Sequence, residues 1–160
     1  MSQLEQLYSL YRQHPEVTTD SRQAAPGKLY FALRGERFDG NRFALAALEA
    51  GCEAAVVDDA SLPGDPRLVR VENVLETLQQ LAALHRRTLG TPTLQITGTN
   101  GKTTTKELTA AVLSKGKRVL FTQGNLNNHI GVPLTLLRLR ADDEVAVVET
   151  GANHPGEIAF

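Results

Sequence analysis

The chain has 160 residues, 41% of them hydrophobic and 22% charged, and its 17 Lys plus Arg against 18 Asp plus Glu leave a formal net charge of −1. These are globular proportions, and the balance argues against a broadly basic surface for nucleic acid or anionic membrane. Cys52 is the only cysteine, which excludes an internal disulfide and a cysteine-based zinc site. With no 18-residue apolar run and no leader-like start, we expect a cytoplasmic chain without membrane insertion.

Leu4, Leu7, Tyr8 and Tyr11 recur at spacings of three and four and predict an amphipathic helix. It stops at His14-Pro15, because the residue before proline disfavours helix. Residues 18–22 read as a polar loop, Pro26-Gly27 as a turn and 28–33 as a strand. A second polar loop over 34–41 leads to a helix over 42–50, which Gly51 can cap. Strands over 54–57 and 67–71 flank a Pro-Gly-Asp-Pro turn. Leu75, Leu78, Leu81 and Leu84 then mark a helix that ends near Gly90-Thr91-Pro92.

The rhythm restarts with a strand over 93–97, a glycine-containing loop over 98–104 and a helix over 106–115. A strand over 118–122, a loop over 124–128, a helix over 130–139 and a strand over 144–150 follow. Such alternation predicts an α/β fold with a mostly parallel sheet covered by helices. The expected domain boundary lies near 88–92, giving one small domain over 1–90 and the opening of another over 91–160. The uncapped apolar end, Glu157-Ile158-Ala159-Phe160, leads us to expect a fragment whose second domain is truncated.

Gly98-Thr99-Asn100-Gly101-Lys102-Thr103-Thr104, between a predicted strand and a helix, is the strongest chemical signal. Glycines let backbone N–H groups close on phosphate oxygens, and the following helix N-terminus adds a favourable dipole. Lys102 can neutralise β/γ-phosphate charge, and the Thr103 hydroxyl can ligate Mg²⁺. The loop is a shortened form, since the common pattern has glycine five positions before Gly101, where this chain has Ile96. A plain strand-to-helix turn is the alternative, disfavoured by the flanking elements.

Glu149 closes a predicted strand of the same sheet, a place suited to a metal or its water; a solvated strand end is the alternative. Asn125, Asn127 and Asn128 end the preceding strand and should reach the same crevice, as ligand contacts or as caps. His129 and His154 are either phosphate or metal contacts or surface residues. His14 and His85, on predicted helices, are expected at the surface, and Cys52 is expected to be a small buried residue.

Four elements resemble the ATP-dependent Mur ligases of bacterial cell-wall synthesis. They are Thr19-Asp20-Ser21-Arg22 with Pro26-Gly27 and the strand over 29–33; Gly35-Glu36-Arg37-Phe38-Asp39-Gly40; the phosphate loop with Lys106-Glu107; and Gly124-Asn125-Leu126-Asn127-Asn128-His129-Ile130-Gly131-Val132-Pro133 leading to residues 149–158. The first three are shared with the branch that adds diaminopimelate or lysine. The fourth is similar to the branch that adds D-alanyl-D-alanine.

The resemblance implies a small α/β N-terminal UDP-binding domain followed by the start of a P-loop, mostly parallel-sheet ATPase domain. It implies a ligase joining D-alanyl-D-alanine to UDP-N-acetylmuramoyl-tripeptide through an acyl phosphate, with ATP and Mg²⁺, as a cytoplasmic monomer. Residues 98–104 would bind ATP, with Lys102 on phosphate and Thr103 and Glu149 on Mg²⁺. Lys102 and Glu149 would be catalytic. Asn125, Asn127 and Asn128 would lie near substrate, and Ser21 and Arg22 would contact uracil and diphosphate. Asn41 departs from the family's usual histidine, and Cys52 from its usual alanine. The family's further catalytic histidine and carbamylated lysine would fall beyond Phe160, so these residues alone are expected to be inactive. The alternatives are a non-catalytic UDP-sugar or nucleotide-binding module and the sister ligase adding diaminopimelate or lysine.

Overall fold

The side chains of Ser2, Asp20 and Asp39 cap the starts of three helical segments. A computed structural model of the chain describes residues 1–151. Helix α1 (Gln3–Gln13) opens on a reciprocal cap, in which Ser2 Oγ accepts from the Glu5 N–H while the Glu5 carboxylate accepts from the Ser2 N–H. It buries Leu7 and Tyr11 and ends at His14, before Pro15.

Strand β1 (Glu16–Thr18) is unexpected: its three residues, one of them apolar, carry no strand pattern and are recruited by pairing with the next strand. A single 3-10 turn, Ser21–Gln23, separates it from β2 (Lys28–Phe31). The predicted loop over 34–41 contains a short antiparallel hairpin, β3 (Arg34–Gly35) and β4 (Phe38–Asp39). A 3-10 turn, Gly40–Phe43, leads into α2 (Ala44–Glu49), so the predicted helix over 42–50 starts later than its apolar spacing suggests. Strands β5 (Ala54–Val57) and β6 (Leu68–Arg70) complete a parallel four-stranded sheet in the order β1-β2-β5-β6. Ala44, Ala47 and Leu48 of α2 pack with Tyr30, Ala55, Val57 and Cys52, which is buried as expected.

Helix α3 (Val74–Leu89) buries Val74, Leu78, Leu81, Ala82 and His85. His85 therefore corrects the surface expectation: it continues the apolar stripe of the helix, and its Nε2 lies 3.0 Å from the Leu139 carbonyl. His14 is half-buried, 3.9 Å from Glu53. The chain packs as two compact units, residues 1–81 and residues 82 onward.

The second unit holds β7 (Thr93–Ile96), α4 (Lys102–Leu113), β8 (Val119–Phe121), α5 (Gly131–Leu136) and β9 (Val145–Glu149). Its sheet is parallel, in the order β7-β9-β8. All five β9 residues are buried, and Ala146 and Val148 pack with Leu120, Val132 and Leu139. Helix α4 begins at Lys102, four residues ahead of the expected start. Three β-branched threonines weaken the helical signal there, yet the left-handed turn at Gly101 launches the helix immediately. Helix α5 is shorter than the predicted 130–139. Among the described residues no helix is long and apolar enough to cross a membrane. The architecture is the expected α/β arrangement with mostly parallel sheets.

Candidate phosphate and metal site

Strand β7 ends at Ile96, directly opposite Glu149 in the β7–β9 register. The chain then turns through Gly98 (φ +146°) and Gly101 (φ +75°) into α4. A Cβ on Gly101 would meet nothing within 4 Å, so glycine is needed there for its left-handed backbone. Thr99, Asn100, Thr103 and Thr104 are exposed, and the first turn of α4 leaves backbone N–H groups without helical partners. Lys102 Nζ donates to the Gly98 carbonyl at 2.6 Å, spanning the loop.

Glu149 is 1% exposed. Its Oε1 accepts from Thr103 Oγ1 at 3.2 Å and from Asn127 Nδ2 at 2.9 Å, and its N–H donates to Thr122 Oγ1 at 2.9 Å. Its Oε2 is buried with no hydrogen-bond partner among the described residues. A buried carboxylate oxygen left over beside a threonine hydroxyl is a donor set that suits a hard divalent cation. Among the described residues there is no cluster of three or more His, Cys, Asp or Glu. Mg²⁺ fits such a place, because it takes one or two protein oxygens and fills its shell with phosphate and water.

The three asparagines separate in role. Asn127 holds Glu149, and its carbonyl accepts from the Gly151 N–H at 2.7 Å. Asn128 Oδ1 accepts from the Ile130 and Gly131 N–H groups at 3.1 and 2.8 Å, holding the chain where it enters α5. Asn125 is exposed. The loop packs closely against α5: a Cβ on Gly131 would sit 2.5 Å from the Leu126 backbone. His129 is half-buried; His154 and the rest of the motif over 152–158 lie outside the described residues.

Lys106 and Thr122 join the site without a role legible in their residue types alone. Lys106 is fully buried and donates from Nζ to the Thr122 carbonyl at 2.7 Å. Its signal was its place in the motif, one helical turn after Lys102.

In the first unit, polar groups gather where parallel strands end, the usual ligand-binding edge of such sheets. After β1, Asp20 Oδ1 caps the Ser21–Gln23 turn through the Arg22 N–H. The exposed Arg22 guanidinium grips Asp20 at 2.7 and 2.9 Å, and this hydrogen bonding is the main reason the carboxyl titrates at about 2. After β2, Asn41 is buried. Its amide donates to Asp39 Oδ1 (2.9 Å) and Asp58 Oδ1 (2.8 Å), and its Oδ1 accepts from the Asp58 N–H. Asn41 thus closes the hairpin onto the end of β5. Ser21 and Arg22 belong to one unit, and the phosphate-loop and asparagine residues to the other.

Residues 15–86 match the Mur ligase family, catalytic domain, and residues 96–159 match the Mur ligase middle domain. The UDP-N-acetylmuramoyl-tripeptide–D-alanyl-D-alanine ligase of Bacillus subtilis is 47% identical over 145 residues, covering 89% of this chain and 32% of that protein. Its Escherichia coli counterpart is 48% identical over 147 residues, covering 90% of this chain and 32% of that protein. The chain therefore spans about a third of the length of these curated relatives. Among solved structures, MurF from Acinetobacter baumannii superposes with a TM-score of 0.85 at 37% identity, covering 97% of this chain and 37% of that one. MurF ligase from Thermotoga maritima in complex with ADP superposes at 0.83 and 31% identity, covering 99% of this chain and 35% of that one. Domain matches over most of the chain, and a fold shared with these structures, lead to one conclusion: the chain belongs to the Mur ligase family.

Proposed function

We propose that the chain serves an ATP-dependent cytoplasmic ligase, acting as a monomer, that joins D-alanyl-D-alanine to UDP-N-acetylmuramoyl-tripeptide. Residues 1–90 would hold the UDP-linked substrate, with Ser21 and Arg22 on uracil and diphosphate. Residues 91–160 would open the ATP-binding domain. The observation that carries this reading is Glu149, a buried carboxylate held against Thr103 at the mouth of the phosphate loop, with one oxygen that has no hydrogen-bond partner among the described residues. The names of the relatives support the choice of D-alanyl-D-alanine.

Residues 98–104 would cradle the ATP phosphates with backbone N–H groups, and Lys102 would leave the Gly98 carbonyl to neutralise phosphate charge. Thr103 Oγ1 and Glu149 Oε2 would hold Mg²⁺, which when bound offsets charge on the phosphate oxygens. The γ-phosphoryl passes to the terminal carboxylate of the tripeptide, giving an acyl phosphate and ADP. The amine of D-alanyl-D-alanine then attacks the acyl carbon, phosphate leaves with the C–O bond electrons, and the amine loses a proton as the amide forms. Asn127 keeps Glu149 oriented, while Asn125 and Asn128 would lie near the substrate.

The test is phosphate release by the full-length protein carrying this chain, with ATP and either UDP-tripeptide plus D-alanyl-D-alanine or UDP-dipeptide plus diaminopimelate. Release with D-alanyl-D-alanine is expected, and a preference for diaminopimelate assigns the sister reaction instead. For residues 1–160 alone we infer binding of UDP-sugar or nucleotide without turnover, since the relatives are about three times as long. Turnover by these residues alone would overturn that.

A further inference from the structure

Lys106 places an ammonium where none of its surface meets solvent (0% exposed). Nζ donates to the Thr122 carbonyl at 2.7 Å, pairs with Glu107 Oε1 at 2.8 Å and lies 5.8 Å from the centre of the Phe121 ring. Burying a charge is costly, and an apolar chain of the same length would fill the space without that cost. What the ammonium adds is its grip on Thr122.

Thr122 is where the chain leaves β8. Its N–H donates to the Val147 carbonyl at 3.1 Å, and its Oγ1 accepts from the Glu149 N–H at 2.9 Å. The loop that starts from Thr122 carries Asn127 to the Glu149 carboxylate. Thr103 and Lys106 lie three residues apart, on one face of α4. That face touches the carboxylate through Thr103 and the backbone that supports it through Lys106. We propose that Lys106 is a positioning residue, fixing Thr122 and thereby setting the Glu149 carboxylate against Thr103 for cation binding. This rests on reading Glu149 as a cation ligand.

The experiment measures Mn²⁺ affinity in the presence of ADP, by the electron paramagnetic resonance of free Mn²⁺, on the full-length protein carrying this chain. ADP affinity without metal is measured beside it. Lys106→Met should weaken Mn²⁺ binding by about tenfold or more, while changing metal-free ADP binding by less than about twofold. General loosening of the phosphate loop would weaken both alike, and equal losses or an unchanged Mn²⁺ affinity overturn the proposal. Glu149→Gln separates the two readings. If it leaves Mn²⁺ affinity unchanged, the cation reading fails; if it weakens Mn²⁺ binding and Lys106→Met does not, only the positioning role fails. Thr122→Val removes the acceptor for the Glu149 N–H at constant shape and should reproduce the selective loss. Where Lys106→Met does not fold, Lys106→Gln takes its place: it removes the ammonium while keeping a polar stem, the same selective loss of Mn²⁺ affinity is expected, and equal losses or none overturn the proposal.

Discussion

Asn127 and Glu149 are 22 residues apart in the chain, yet their side chains meet at 2.9 Å, amide nitrogen to Oε1. An amide can donate there without adding charge, so the carboxylate is aimed, and its Oε2 has no hydrogen-bond partner among the described residues. Asn127→Ala should lower Mg²⁺-dependent turnover of the full-length protein by roughly 10–100-fold. The effect should fall on the Mg²⁺ requirement more than on the KM for D-alanyl-D-alanine, which steady-state kinetics over a Mg²⁺ series will show.

Lys102→Ala should abolish ATP turnover while leaving UDP-substrate affinity largely intact. Calorimetric titration of the UDP-substrate beside a phosphate-release assay separates the two. Surviving turnover would remove Lys102 from the phosphate site.

Asp20 titrates at about 2, chiefly because Arg22 hydrogen-bonds to its charged form. The pair's contribution to stability is therefore present above the ordinary value of 3.8 and is lost as pH falls from there towards 2. Arg22→Ala should raise the Asp20 pKa towards 3.8 in a carboxyl-detected NMR titration. If Arg22 also serves the UDP-substrate, this variant and Ser21→Ala should weaken UDP-substrate binding with little change in ATP affinity.

Burial holds the His85 pKa below its usual 6.5, against a smaller opposing pull from the Leu139 carbonyl. The unfolded chain then takes up the proton first as pH falls. Stability from neutral His85 is complete above 6.5 and declines as pH drops below it. Urea denaturation on either side of that value should show the decline in the parent and a flatter profile in His85→Gln.

Gly131→Ala would set a Cβ 2.5 Å from the Leu126 backbone, which no side-chain rotation relieves. It should destabilise the second unit by roughly 1–3 kcal/mol. Gly116→Ala, with nothing within 4 Å, should stay within about 0.5 kcal/mol of the parent in the same denaturation series.

The phosphate loop was readable because its chemistry is local: two glycines, a lysine and a threonine between a strand and a helix. Glu149 was readable from strand rhythm, since a carboxylate after four apolar residues has to lie at the sheet's end. Lys106 was not, because a lysine on a helix reads as solvated until the residue facing it is known, and Thr122 lies 16 residues away. His85 could have been read: Leu78, Leu81, Ala82 and His85 continue one helical face, but its polarity outweighed its spacing. Strand β1 and the β3–β4 hairpin are too short to show alternation, and pairing alone makes them strands. The placement of β9 between β7 and β8 is likewise non-local, and sequence order carries no trace of it.

That strand order bears on how the domain comes into being. Strands β7 and β8 emerge from the ribosome before β9, yet neither pairs with the other, and each waits for a partner that begins at Val145. Until then the glycine-rich turn has no sheet to anchor it and no carboxylate to face. Nucleotide binding by nascent chains of increasing length should therefore appear as a step, once β9 has left the exit tunnel, and the rate of acquiring it should be governed by these distant pairings.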